Sequence, residues 1–154
     1  VKHAITLAVL VVLAWAPAVR ALPQNAHQMW TELKVLLEEY KSLKKPFETR
    51  WPSGAVKEKC TVEADGTVSY TRFFPAGNVA VTYQRKVDGV AFYQRNSGDG
   101  KTVEVLHDDP RICDYTSWWP NGQVKEKFQY NRHTKSMFYI RYDEQGRQVI
   151  PRSP

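Results

Sequence analysis

A nine-residue segment occurs twice in this chain. Trp51–Lys59 reads WPSGAVKEK and Trp119–Lys127 reads WPNGQVKEK, identical at seven positions. Glycines extend the pattern: Gly54, Gly77, Gly100, Gly122 and Gly146 follow one another at 23, 23, 22 and 24 residues. Gly66 and Gly89 lie 12 residues after the first two of these, and Thr134 lies 12 after Gly122. Seven of the eight glycines keep this beat. A fixed period of about 20–50 residues marks an array in which each unit buries its apolar face against its neighbours.

One unit reads as a β-hairpin. Glycine, with Asp or Asn beside it, tolerates the positive φ of tight turns. Between turns, the residues alternate: Val79, Val81 and Tyr83 share one face, and Asn78, Ala80, Thr82 and Gln84 the other. Val124, Glu126, Phe128 and Tyr130 repeat the pattern less cleanly. Turns every 11–12 residues leave room only for antiparallel neighbours. The expectation is a mainly β protein, about nine short strands in an antiparallel hairpin meander over residues 47–154. Pro151 and Pro154 would blunt its C-terminal edge.

One amphipathic helix precedes the strands, in a segment spanning residues 22–46. Met29, Leu33, Leu36, Tyr40 and Leu43 fall on one stripe within Gln24–Lys45. Asn25 is placed to cap its start, with Gln28 three residues on, and Pro46 to stop it. Lys41, Lys44 and Lys45 suit the negative end of the helix dipole. The stripe is expected to pack on the repeats.

The 23-residue hairpin period and the motif aromatic-Pro-Asn/Ser-Gly-x-Val-Lys-x-Lys resemble the MORN repeat in its bacterial variant form, which also occurs in YwqK-type antitoxins. The resemblance covers about Arg50–Ile150. Trp51-Pro52-Ser53-Gly54 and Trp119-Pro120-Asn121-Gly122 carry it best, and Phe74-Pro75-Ala76-Gly77 and Tyr142-Asp143-Glu144-Gln145-Gly146 match acceptably. It implies a fold of stacked hairpins more than it implies an activity.

Residues 1–21 read as a secretory signal peptide. Lys2 and His3 precede the apolar run Ala4–Ala16, and Ala16-Pro17-Ala18 and Val19-Arg20-Ala21 offer cleavage patterns. The expected location is therefore periplasmic or extracellular. The whole chain carries a net charge of +6, and cleavage after Ala21 leaves 20 − 16 = +4. Export and this modest charge argue against a nucleic-acid partner.

Chemistry is sparse. His3, His27, His107 and His133 show no metal-ligand spacing, and His107-Asp108-Asp109 reads as a solvated loop. Cys60 and Cys113 fall five strands apart, about 24 Å in a flat sheet, so no disulfide is expected and both thiols should be free. Glu58 and Glu126 occupy equivalent positions too far apart to act as a catalytic pair, and read as a solvated strand face with cross-strand charge pairs. No catalytic residue, metal or cofactor is expected.

Adjacent aromatics remain: Phe73/Phe74, Trp118/Trp119 and Phe138/Tyr139 must put one ring on each face of a sheet. The expected role is a non-enzymatic binding or scaffold protein engaging a protein partner. Trp118, Tyr139, Arg141 and Arg95 are the candidate binding residues. The alternatives are recognition of an anionic envelope polymer or a lipid head group at a membrane surface, and an envelope hydrolase.

Overall fold

The computed structural model describes residues 25–149. The proposed signal segment lies outside them, as do Pro151 and Pro154. One helix, α1 (Ala26–Lys41), is followed by ten strands. They are β1 (Phe47–Arg50), β2 (Val56–Val62), β3 (Val68–Phe73), β4 (Val79–Arg85), β5 (Ala91–Asn96), β6 (Thr102–Asp108), β7 (Ile112–Trp118), β8 (Val124–Asn131), β9 (Met137–Tyr142) and β10 (Gln148–Val149). Their spatial order equals their chain order, and every pair is antiparallel. The meander is as expected, with ten strands where about nine were read.

The seven glycines of the beat all have φ between +78° and +91°. At Gly122 the turn closes with Gly122 N donating to Trp119 O (2.9 Å) and Trp119 N to Gln123 O (2.8 Å). This is a type I turn ending in a left-handed residue, a short hairpin loop that glycine adopts without strain. Two turns have no glycine of the beat. Lys135, not Thr134, takes the positive φ (60°) between β8 and β9. Between β6 and β7, Asp109 Oδ1 accepts from the backbone N–H groups of Arg111 (2.6 Å) and Ile112 (2.8 Å). His107 and Asp108 therefore belong to β6 rather than to a loop, and Asp108 is only 4% exposed. Its carboxylate holds the Arg132 guanidinium.

A bulge recurs with the repeat. Register shifts place an extra residue at Lys57, Ala80, Val103 and Lys125, each three residues after a glycine of the main beat. The extra residue breaks the alternation. Val79 thus pairs with Phe73 and does not share the face of Val81 and Tyr83, and Val124 is likewise cut off from Glu126 and Phe128. In the two WPxGxVKEK segments the bulged lysine folds back over the indole. Lys57 Nζ lies 5.1 Å from the Trp51 ring centre, and Lys125 Nζ 5.0 Å from that of Trp119.

Helix α1 lies across one face of the sheet. Asn25 Oδ1 accepts from Gln28 N (2.9 Å), as a cap should. Met29, Leu33 and Leu37 are buried, with Trp30, Leu36, Tyr40 and Leu43 packed beside them. Leu37 joins the stripe because the helix meets a sheet wider than a single seam. At one end Trp30 packs on Phe128 and Tyr130 of β8; at the other, Tyr40 packs on Tyr70, Tyr83 and Tyr93 of β3–β5. The helix ends at Lys41, before Pro46, and Arg85 of β4 closes it, donating to Lys41 O (2.9 Å) and Leu43 O (3.2 Å). These bonds satisfy carbonyls that a helix end leaves open.

Candidate functional site

The two faces of the sheet differ in kind. On the helix side, one register row runs Cys60, Tyr70, Tyr83, Tyr93, Leu106, Tyr115, Phe128, Tyr139. Beside it runs a polar row: Glu58, Arg72, Val81, Arg95, Glu104, Ser117, Glu126, Arg141. Tyrosine hydroxyls reach from the first row to the carboxylates of the second. Tyr70 donates to Glu58 (3.0 Å), Tyr93 and Tyr115 both donate to Glu104 (3.0 and 2.9 Å), and Tyr139 donates to Glu126 (2.7 Å). Arg95 Nε adds a bond to Glu104 (2.7 Å), and Ser117 Oγ one to Glu126 (3.2 Å).

This pairing sets the charge state. Burial opposes the charge on Glu104, but the Arg95 guanidinium and the Tyr115 and Tyr93 hydroxyls outweigh it and hold the carboxyl below its ordinary range. Burial first, and then the neighbouring glutamate, push the hydroxyls of Tyr70, Tyr93, Tyr115 and Tyr139 well up, so they remain donors. Glu126 is 3% exposed, so the solvated reading of this strand position is corrected. Glu126 alternates with Phe128 onto the helix side, in the regular part of β8 that follows the bulge at Lys125. The row suits holding the sheet rigid. Its signal was in the sequence: Tyr70, Tyr93, Tyr115 and Tyr139 are spaced 23, 22 and 24 residues, and Glu58, Glu104 and Glu126 each follow a glycine of the beat by four.

Three of the candidate binding residues lie in this framework. Arg95, Arg141 and Tyr139 are on the helix side; Arg95 is bonded to Glu104, Tyr139 to Glu126, and Arg141 sits opposite Glu126 in register. Trp118, the last residue of β7, pairs with Val124 and alternates away from Ser117 toward the other face. The fold does not bring it together with the other three. Cys60 on β2 and Cys113 on β7 are buried free thiols, five strands apart. Burial first, with Asp108 beside it, pushes the Cys113 thiol up to about 12.

Among the described residues nothing covers the opposite face. Along it, Thr71, Thr82, Gln94, Val105, Thr116 and Lys127 form one row, with Lys59 at one end. Phe92, His107, Asp114, Gln129 and Phe138 form the next. Phe92 is 38% exposed and Phe138 55%. A shallow depression of about 250 Å³ lies by Phe138, lined in part by Asp114, Thr116, Lys127 and Gln129. No three His, Cys, Asp or Glu side chains gather as a cation site among the described residues, and no helix there is long and apolar enough to cross a membrane. A scan against protein-family models gives no match for this chain, and a search of curated proteins gives none either.

Proposed function

We propose that this chain is an exported, non-catalytic binding or scaffold protein, built of MORN-like hairpin units, whose bare sheet face engages a protein partner. The observation that carries this reading is a face of a ten-stranded sheet that no described residue covers, with Phe92 and Phe138 exposed on it. Small-molecule sites are concave and mostly apolar, whereas this surface is broad and shallow, as protein interfaces are. Repeat arrays offer such extended surfaces. Arg95, Tyr139 and Arg141 then serve from behind by stiffening the platform, and Trp118 stands at its border.

A second reading is an anionic polymer, favoured by exposed Lys59 and Lys127 on the same face. A crosslinked pull-down with the tagged full chain at low and high salt separates the two. A stoichiometric protein held at high salt, lost with Phe138→Asp and kept with Val35→Asp on the outer side of α1, supports the first. Retention of polymer at low salt alone supports the second, since ionic contacts are screened. Equal behaviour of the two variants removes the bare face from either role.

A further inference from the structure

The sheet of described residues ends at β1 and β10, and the two edges are unlike. β10 contributes two residues and, in the sequence, Pro151 follows two positions later without an N–H to donate. β1 presents four residues, all exposed, with backbone groups on its outer side that meet no strand among the described residues. It carries no proline or lysine, and its bulge lies on the β2 side, at Lys57. Pro46 directly precedes it, and Glu48 and Arg50 charge its bare side, so indiscriminate pairing is limited and a charge-matched strand is the one that fits.

We propose that β1 is a self-complementary edge through which two copies of this chain pair as antiparallel strands, with Thr49 of each at the twofold axis. Charge selects that register. Glu48 and Arg50 are two residues apart on the bare side of the sheet and already joined to each other. With Thr49 opposite its own copy, Glu48 faces Arg50 of the second chain and Arg50 faces its Glu48, so four charges of alternating sign form a square. A register centred on Glu48 sets two carboxylates against each other, and one centred on Arg50 sets two guanidinium groups against each other. A shift of one residue pairs side chains from opposite faces. The same register leaves Phe47, 38% exposed and 6.3 Å from the Tyr70 ring, across from Trp51 of the second copy. The strand is short, so the dimer is weak and concentration-dependent, and the association is closed and isologous.

Sedimentation velocity of the full chain over a concentration series tests this. The expected result is a monomer–dimer equilibrium, weakened on the order of tenfold by Glu48→Arg and restored when Arg50→Glu is added to that change. Thr49→Cys should give a covalent dimer under mild oxidation, because opposed antiparallel residues lie within disulfide reach, while Glu63→Cys, exposed beyond the end of β2, should not. This second measurement stands even if the charge variants fold poorly. A chain that stays monomeric to its solubility limit overturns the proposal, as does a dimer that neither feels Glu48→Arg nor crosslinks through Thr49→Cys.

Discussion

Gly122 and Gly98 separate two roles of one residue type. Gly122 has φ +85°, and nothing lies within 4 Å of an added Cβ, so Gly122→Ala meets no clash and only the left-handed backbone opposes it. Its cost should be about 1–2 kcal/mol, read as a lower denaturant midpoint at unchanged slope. Gly98, the glycine outside the beat, has no such φ and equal space, so Gly98→Ala should leave the midpoint where it was. Glu104 gives a pH-dependent counterpart. Its folded carboxyl is held low, so it contributes stability that is present above the unfolded value of about 4.3 and is lost as pH falls through the folded value. Glu104→Gln should lower stability at neutral pH and flatten the decline below about pH 4.3; thermal melts across that acid range check both.

Helix α1 holds to the sheet by two kinds of contact, which predict different responses. Its apolar stripe is the larger: Leu33 is 4% exposed, and Leu33→Ala should cost about 2–5 kcal/mol. Its ends are held by arginines from the strands. Arg85 closes the C-terminal end, and Arg132, bonded to the buried Asp108, lies 5.7 Å over the Trp30 ring near the N-terminal end. Arg85→Ala should cost about 2 kcal/mol and raise amide exchange in the last turn of α1, while amides of β6–β8 keep their protection. If the strands lose protection together with the helix, the clamp is part of one cooperative unit instead.

At the scale of the molecule, a meander with chain order equal to spatial order keeps distant parts of the sequence apart. Cys60 and Cys113 are held on β2 and β7, both buried. A thiol reagent added to the native full chain should modify neither, both should react on unfolding, and intact mass should show no internal bridge. A bridged species would mean that the sheet curls far enough to bring those strands together. Among the described residues the same order leaves one face bare and the outer side of β1 without a neighbouring strand, where the proposed partner surface and the proposed self-association lie.

The hairpin array and the helix before it were legible because both rest on local chemistry. Each turn is decided by a glycine and its neighbours, and the stripe Met29, Leu33, Tyr40 by helical periodicity, whatever surrounds them. The tyrosine–glutamate ladder was encoded at the same period, yet strict alternation assigned Val79 and Val124 to the wrong neighbours, because a bulge is set by the pairing of two strands. Other features depend on residues far apart in the chain. Arg85 closing a helix 42 to 44 residues earlier, Arg132 reaching back 24 residues to Asp108, and Arg95, Tyr139 and Arg141 facing the helix side follow from which face the helix covers. Only burial made Glu126 an inward carboxylate and Asp108 a buried ion-pair partner, because the free energy of a charge depends on what replaces its water, and the fold alone supplies that replacement.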